Sequence, residues 1–304
     1  METPFFSIII PTYNSSKFIT FVLNSIEKQT YRNFELIIYD DFSKDNTVKL
    51  VQGWLKGKSF KHQLIISKKN NGAAYALNQC IIKSKGSHIV FGAHDNIFYC
   101  RRLEIIQKTI AKNPLLKFIT HDAYTGSLTK FKKRQAHIQT GAVKFLAANI
   151  SNLLLFRSTL FLFDTFVIHS SLIKNYSKYI KYSPVEDLAL VLNVFQSHLI
   201  NVHHISKPLM FKVLHPSSQT FTNAIAIKKS AIRLFNDNSR PSVISLSGAE
   251  SVCQISFVRN NDFIALFRSL IRNPFIFLLA FLVNFLRLLY KLINCRYVNL
   301  PRNF

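Results

Sequence analysis

Two pairs of adjacent acidic residues border apolar segments of the sequence, and either pair could take part in ligand binding or catalysis. Asp40 and Asp41 follow the largely apolar run 34–39, and Glu186 and Asp187 precede another apolar stretch. A carboxylate at the end of a buried strand can accept hydrogen bonds from a nucleotide base and its ribose, and a carboxylate beside a hydroxyl group can take its proton. The residues alone leave plainer alternatives open: the first pair could cap the next helix, and the second could complement a helix dipole.

These acids need elements that present them, and the apolar periodicity predicts alternating strands and helices. The predicted order is a strand at 7–10, a helix at 17–28, a strand at 34–39, a helix from about 43 to 54, a strand at 63–67, a helix at about 73–84 and a strand at 88–91. This alternation indicates an α/β fold with a Rossmann-like, mainly parallel sheet and helices on both faces. Ligands of such sheets bind beyond the carboxyl ends of the strands, where the polar clusters 12–14, 40–41 and 94–96 fall.

The composition excludes a disordered chain and favours anionic ligands. Hydrophobic residues make up 48% of the 304 residues and charged residues 18%, so the chain must bury a core. The 39 Lys and Arg residues against 15 Asp and Glu residues give a formal charge of +24, which attracts nucleic acid, acidic lipid or phosphorylated small molecules. A nucleic-acid-binding protein is the alternative from another class. Because no helix-turn-helix, zinc-finger or RRM signature is present, we expect no nucleic-acid partner.

The cysteines and the first residues predict a cytoplasmic protein. The four cysteines are far apart and form no C-x-x-C pair, which argues against a zinc site or a disulfide scaffold and favours reduced thiols. The sequence starts without a basic segment and has only a short apolar stretch before Pro11, so we expect no secretory signal.

Several segments together resemble the family 2 glycosyltransferases of the GT-A fold, of the bacterial surface-polysaccharide type. They are 7–14 (SIIIPTYN), 25–47 with its acidic pair, 70–78 (NNGAAYALN), the strand ending at 91, and the acids at 186–187. The resemblance implies an inverting hexosyl- or N-acetylhexosaminyl-transferase. Its donor would be a nucleotide sugar, expected to be UDP-linked, and its acceptor a hydroxyl of a glycan or lipid-linked glycan.

The resemblance also assigns roles to individual residues. Asp41 would contact the base, Asp187 would deprotonate the acceptor hydroxyl, and Glu186 would orient a loop or a sugar hydroxyl. Asn96 and Lys212 would support the acceptor or the phosphate charge. The full set of residues expected to bind the nucleotide sugar is Pro11, Thr12, Tyr13, Asn14, Asp40, Asp41, Asn70, Gly72, His94 and Asp95.

The metal-binding motif departs from the family pattern. The family typically has Asp-x-Asp, whereas this chain has Ala93-His94-Asp95, so the first carboxylate is missing. The resemblance implies that Asp95 ligates Mn²⁺ or Mg²⁺ and that His215 either ligates the ion or binds a phosphate. His94 is expected to be a local hydrogen-bonding residue rather than a ligand. The loss of the first acid also motivates an alternative: a degenerate or metal-independent protein that binds nucleotide sugars without turning them over.

The sequence predicts two domains, a GT-A domain at 1–222 and a helical, basic region at 223–304. The GT-A domain would divide into a nucleotide-sugar half at about 1–97 and an acceptor half at about 98–222. In the C-terminal region, Asn284, Arg287 and Lys291 recur on one helical face opposite Phe and Leu, which is typical of a helix lying in a membrane surface. We therefore expect peripheral association with the cytoplasmic face of the inner membrane. The alternatives are a hairpin packed on the catalytic domain, a homodimer contact or a true span.

Overall fold

The computed structural model describes residues 3–139, 163–173, 189–190, 194, 202–216 and 297–301. This part of the chain contains ten strands of one sheet: β1 (Phe6–Thr12), β2 (Phe34–Asp40), β3 (Lys61–Ile66), β4 (His88–Phe91), β5 (Asn96–Phe98), β6 (Phe118–Gly126), β7 (Gln135–Gln139), β8 (Val167–His169), β9 (Val202–Val213) and β10 (Tyr297–Asn299). Its helices are α1 (Ile19–Glu27), α2 (Thr47–Leu55), α3 (Ala73–Lys83), α4 (Arg102–Lys112) and α5 (Leu128–Lys132). Short 3₁₀ turns occupy Phe163–Thr165 and Ser170–Leu172.

The sheet has two regions that differ in strand direction. In the parallel region, β3, β2, β1 and β4 lie side by side in that order and all run the same way. In the mixed region, formed by β5 to β10, β8 pairs antiparallel with β4 and β6, while β7 and β10 extend the sheet antiparallel beyond β6. β9 runs parallel to β6 and antiparallel to β5. The predicted α/β fold class is confirmed, and the parallel arrangement is concentrated in the first four strands.

Helices cover both faces of the parallel region, which explains its nearly continuous apolar strands. Ile8 and Ile10 of β1 pack with α1, α2 and α4 in one core cluster. The intervening Ile9 is also fully buried, and α3 contacts β1 and β2. Because successive side chains of a strand point to opposite faces, α3 covers the face on which Ile9 lies. Burying each such side chain contributes roughly 1.5–3 kcal/mol to folding.

The last described residues return to the sheet, which corrects part of the prediction for the C-terminal region. That region was expected to be helical, but Tyr297–Asn299 forms β10 and pairs with β7. Leu300, only 6% exposed, packs in a core cluster with Tyr124 and Phe211, and this apolar contact holds the strand in place. The remainder of 223–304 lies outside the described residues. Within the described ranges, no helix has both the length and the apolar content that crossing a membrane requires.

Candidate active site

Asp41 connects the ends of three parallel strands. Its Oδ1 accepts the backbone N–H of Asn71 at 2.8 Å, and its Oδ2 accepts that of Gly72 at 2.7 Å. The N–H of Asp41 itself donates to the carbonyl of Thr12 at the end of β1, at 2.9 Å. Gly72 has a φ of 90°, a conformation that only glycine adopts readily. Since hydrogen bonds to a carboxylate are strong, Asp41 fixes the β3–α3 loop against the β1 and β2 ends.

Asp40 and Asn14 hold the two neighbouring loops together. Asp40 accepts the backbone N–H of Ser43 at 2.9 Å and its hydroxyl at 2.6 Å. The Ser43 hydroxyl oxygen in turn accepts the N–H of Asn14 at 2.8 Å, and Asn14 Oδ1 accepts the N–H of Lys44 at 2.8 Å. Asp40 is only 1% exposed, whereas Tyr13, the neighbour of Asn14, is 41% exposed. The turn therefore has a rigid backbone and an accessible aromatic ring.

Helix α1 fixes the segment that carries Asp95. The hydroxyl of Ser25 accepts the N–H of Phe98 at 2.9 Å, and the side-chain amide of Gln29 donates to the carbonyl of Tyr99 at 2.8 Å. Both bonds hold the chain just after Asp95. Ser25 on α1 and Gln29 just beyond its end thus position the strand-end segment.

Strand β9 brings His215 to Asp95 from a distant part of the sequence. Asn96 of β5 pairs with Lys212 of β9, and the N–H of Val213 donates to the Asp95 carbonyl at 3.1 Å. His215 follows the end of β9, and its Nε2 lies 3.3 Å from Asp95 Oδ2. Antiparallel pairing of two strands therefore joins two of the predicted metal ligands.

His94 completes a cluster with Asp95 and His215. Each of the three offers one potential ligand atom, and these atoms lie within 4.8 Å of one another. The ring of Phe18 stacks on His215, with centroids 4.5 Å apart. Burial raises the pKa of Asp95, but the hydrogen bond from His215 and the nearby His94 and Lys212 outweigh burial, so the pKa is lowered overall. The carboxylate is thus held in the ionised form that a cation needs.

The cluster fits a divalent cation. Two ligand atoms that each lie about 2.1 Å from one ion are at most about 4.2 Å apart. Separations within 4.8 Å therefore need only a small side-chain adjustment to close on an ion. One carboxylate and two imidazoles also form a donor set that such ions accept.

Lys212 lies near the cluster, but its charge is already paired. Its Nζ donates to Asp164 Oδ2 at 2.7 Å. The backbone carbonyl of Asp164 accepts Nη2 of Arg102 at 2.9 Å, and this guanidinium is fully buried over the ring of Phe98. Burial lowers the pKa of Arg102 to about 9, and the nearby Asp164 opposes that shift. The side chain of Lys212 is 31% exposed, so it lies within reach of solvent beside the cluster.

Other predicted residues are distributed as follows. Thr12 is 2% exposed, and its hydroxyl has no hydrogen-bond partner in the described part of the chain. The side-chain oxygen of Asn70 accepts the N–H of Gly72 at 3.1 Å. The side-chain amide of Asn96 is buried and likewise has no partner among the residues described. Pro11 is a partly buried residue of β1.

The predicted acceptor-side acids, Glu186 and Asp187, lie outside the described residues. Ala189 and Leu190, which follow them directly in the chain, are helical and fully buried. The apolar helix predicted to begin after this acidic pair is therefore seen at these two positions.

Three residues of the site were not identified from the sequence: Phe18, Arg102 and Asp164. A signal for Arg102 existed, because it stands four residues before Ile106 and eight before Ile110 on the buried face of α4. No comparable pattern marks Asp164, whose position depends on the 3₁₀ turn before β8.

The chain belongs to glycosyl transferase family 2. The model of that family matches residues 7–174, more than half of the chain, which include β1 to β8 and the His94–Asp95 segment. Similarity to solved glycosyltransferase structures agrees with the GT-A fold expected from the sequence motifs.

Similar proteins include both curated sequences and solved structures. An uncharacterized glycosyltransferase of Haemophilus influenzae is 37% identical over 117 residues, covering 38% of each chain. The Escherichia coli protein WfgD, named as a UDP-Glc:alpha-D-GlcNAc-diphosphoundecaprenol beta-1,3-glucosyltransferase, is 34% identical over 113 residues, 37% of this chain and 44% of its own. The match thus spans less than half the length of these two relatives.

Two solved structures share the fold at low sequence identity. S. aureus TarS 1-349 in complex with UDP-GlcNAc has a TM-score of 0.61 at 18% identity, covering 85% of this chain and 74% of that one. The mannosyltransferase PcManGT of Pyrobaculum calidifontis, in complex with GDP-Man and Mn²⁺, has a TM-score of 0.57 at 16% identity, covering 84% and 76%. At these identities the likeness shows the fold alone, over 84–85% of this chain.

Proposed function

We propose that the protein is an inverting glycosyltransferase that moves a hexosyl or N-acetylhexosaminyl group from a UDP-linked donor to a glycan hydroxyl. The observation that carries the proposal is the cluster of His94, Asp95 and His215 beside the ends of the parallel strands. Phe18, which follows the β1–α1 loop, stacks on His215, so the cluster and the proposed nucleotide loops are neighbours. This is where a parallel sheet binds ligands.

The donor would occupy the loops at the ends of β1 to β4. Asp41 is proposed to contact the base while it keeps its two backbone hydrogen bonds, since each carboxylate oxygen has a second lone pair. Tyr13 would lie beside the base, and Asn70 and Gly72 would border the sugar and phosphates. Pro11, Thr12, Asn14 and Asp40 would shape the turn that surrounds the nucleotide.

Asp95 and His215 would hold a Mn²⁺ or Mg²⁺ ion, whose positive charge would stabilise the leaving diphosphate. The remaining chemistry belongs to the protein. Asp187 is proposed to accept the proton of the attacking hydroxyl on the face opposite the leaving group, which an inverting displacement requires. Glu186 and Asn96 would orient the acceptor, and Lys212 would add positive charge near the phosphates.

The acceptor is proposed to be a lipid-diphosphate-linked glycan of surface polysaccharide synthesis. WfgD is named for such an acceptor and a UDP-linked donor, and TarS was solved with UDP-GlcNAc. The charge of +24 would favour this diphosphate. An acceptor glycan without charged groups would gain no affinity from this positive charge.

The first experiment is to measure binding and hydrolysis of a panel of UDP-, GDP- and CMP-sugars by the full-length protein, with Mn²⁺, with Mg²⁺ and with EDTA. Metal-dependent turnover of one UDP-sugar is the expected result. A folded protein that binds no nucleotide sugar in any condition would contradict the proposal.

A variant of the proposed base separates transfer from donor binding. Asp187→Asn is expected to abolish sugar transfer to acceptor while leaving UDP-sugar affinity within about threefold, because the base acts on the acceptor side. Glu27→Gln, which alters an exposed acid paired with Lys58, is the matched control and should transfer normally. Transfer at the unaltered rate by Asp187→Asn would remove this residue from the mechanism.

A second candidate function is a protein that binds nucleotide sugars without metal-dependent turnover. The observation in its favour is Ala93, which offers no ligand where the family has an acid. Donor binding that is equal in Mn²⁺ and EDTA, with no turnover, would select this alternative.

The C-terminal region is proposed to hold the protein on the cytoplasmic face of the inner membrane. Truncation near residue 260 is a poor test, because it also removes β10 and the buried Leu300. Replacing Arg287 and Lys291 by Glu keeps the residues of β10 and Leu300 in the chain and should reduce co-flotation with vesicles containing anionic lipid. Lys130→Glu and Lys132→Glu on the short helix α5 form a charge-matched control, which should still float. Unchanged flotation of the first variant, or a homodimer dissociated by it, would overturn the membrane assignment.

A further inference from the structure

We propose that His94 is a third protein ligand of the cation and that the resulting set of two imidazoles and one carboxylate favours borderline transition-metal ions over Mg²⁺. The inference rests on the proposed function for the use of the ion in donor binding. The sequence favoured a hydrogen-bonding role for His94, and the geometry points to a different one.

The distances support ligation by His94. One nitrogen of His94 lies within 4.8 Å of the ligand atoms of both Asp95 and His215, so a single ion can reach all three. Among the described residues, the imidazole of His94 makes no hydrogen bond, and its ring lies 6.3 Å from that of His215. The hydrogen-bonding role is therefore not filled by any of these neighbours, and the side chain remains partly exposed.

The composition of the set determines the preferred ion. Ala93 leaves this cluster one carboxylate where the family pattern has two, and a neutral imidazole replaces neither its charge nor its hard oxygen. Mg²⁺ prefers oxygen ligands in near-ideal octahedral geometry and gives up its water reluctantly. Imidazole nitrogen binds Co²⁺, Zn²⁺ and related ions more tightly. The replacement should therefore weaken Mg²⁺ binding while His94 preserves the binding of transition-metal ions.

The inference separates two kinds of sites that share Asp95 and His215. If only these two residues ligate, removing His94 has no effect on metal affinity. If His94 also ligates, its loss costs mainly the affinity for transition-metal ions, since Mg²⁺ gains little from a nitrogen ligand. The ratio of two affinities, rather than either affinity alone, is therefore the diagnostic quantity.

The test is calorimetric titration of the full-length protein, stripped of metal with EDTA and dialysed, with MnCl₂, CoCl₂ and MgCl₂ separately and without nucleotide. His94→Ala is expected to weaken Co²⁺ binding by about tenfold or more, Mn²⁺ binding by a smaller factor, and Mg²⁺ binding by less than about threefold. His94→Asp, which restores a second carboxylate, should narrow the preference for Mn²⁺ over Mg²⁺. The visible absorption of the Co²⁺ protein, which reports the ligands of the ion, should change in both variants.

The matched control is His203→Ala, because His203 is an exposed histidine of β9 that is not part of the cluster. It should titrate like the unaltered protein. Unchanged Mn²⁺ and Co²⁺ affinities in His94→Ala, or an equal loss for all three ions, would overturn the inference. Circular dichroism of each variant verifies folding.

The two proposals fail separately. Because the titration contains no nucleotide, the predicted selectivity together with no binding of any UDP-sugar would refute the proposed function and leave the metal site standing. Metal-dependent sugar transfer, with metal affinities and a Co²⁺ spectrum that do not change in His94→Ala, would support the proposed function and refute ligation by His94.

Discussion

The parallel and mixed regions of the sheet hold their candidate site residues in place by different kinds of contact. In the parallel region, the candidate acids Asp40 and Asp41 are bonded to backbone N–H groups of neighbouring loops. In the mixed region, Asp95 is held against two histidines that come from separate parts of the chain. Bonds to backbone amides stabilise the fold in the absence of a ligand, whereas a buried group of titratable side chains is favourable only when its charges are matched. The parallel region is therefore a frame that is stable without a ligand. The mixed region is where a bound cation would add most to stability.

The largest effect should come from removing the carboxylate of the mixed region. Asp95→Asn keeps the shape of the side chain but loses the charge, so we expect turnover with Mn²⁺ to fall by about 10³-fold. Single-turnover rates with saturating donor measure this. Thermal unfolding should shift little, since the neutral amide can still bond to His215.

The control for that comparison is an acid outside the site. Glu104→Gln alters a carboxylate that pairs with Arg101 and Lys108 on the surface of α4. Its turnover should equal that of the unaltered protein. An Asp95→Asn protein that turned over as fast as this control would show that the cluster is not catalytic.

Substitutions in the frame should lower the stability of the fold. Asp41→Ala removes the acceptor of the Asn71 N–H and leaves the Gly72 N–H only its 3.1 Å bond to Asn70 Oδ1, so we expect a loss of about 1–3 kcal/mol in the free energy of unfolding. Denaturant unfolding followed by circular dichroism measures this. Asp41→Asn keeps one carbonyl acceptor and should lose less. Equal stability of both variants and the unaltered protein would contradict the structural role of Asp41.

Acid should weaken the parallel region through His88. Burial, followed by the nearby His169, lowers the pKa of His88 to about 4. Between this value and an unfolded value of about 6.5, the unfolded chain binds more protons, so stability rises with pH. The contribution is complete above pH ~6.5 and is lost as pH falls through ~4, which amounts to about 3 kcal/mol.

Thermal unfolding from pH 7 to pH 4 tests this, with His88→Gln as the variant without the titrating ring. The pH dependence of the variant should be flatter. His62→Gln, which changes an exposed histidine of β3, is the control and should retain the full slope. Parallel curves for His88→Gln and the unaltered protein would refute the assignment.

The smallest expected effect concerns the packing that connects the regions. Phe18 stacks on His215. Since an aromatic pair contributes about 0.5–1.5 kcal/mol, Phe18→Ala should raise the dissociation constant for Mn²⁺ by about three- to tenfold. Phe21→Ala removes a ring of α1 that contacts Phe131 instead and serves as the control. Equal Mn²⁺ affinities of the two variants would show that the stacking does not order His215.

The frame was largely predictable because its rules are local. The apolar runs at 7–10 and 34–39 and the helical spacing between them predicted the alternation of β1, α1 and β2. The acids at the end of β2 were predicted to lie at the carboxyl edge of the parallel strands, and they do lie there. Their present bonding to loop amides also agrees with the plainer capping alternative, so a role in base binding stays a prediction.

The mixed region was less predictable because its contacts are distant in sequence. Neither β5 nor the 12-residue strand β9 was predicted, since β5 has only three residues and Pro208 interrupts the pattern of β9. Asp164 carried no recognisable signal, although it pairs with Lys212. The return of β10 to the sheet was also missed, because the preceding apolar stretch suggested a helix.

The sequence by itself determined the α/β class and the positions of the first four strands along the chain, and the family resemblance of its motifs predicted a metal site that includes Asp95 and His215. These follow from periodicity and from motifs, which are properties of neighbouring residues. Only the tertiary structure placed the potential ligand atoms of His94, Asp95 and His215 within 4.8 Å of one another, because the β5–β9 ladder sets the distance between residues far apart in the chain. A side chain's ligand role depends on where the other ligands lie, and that position is a result of folding.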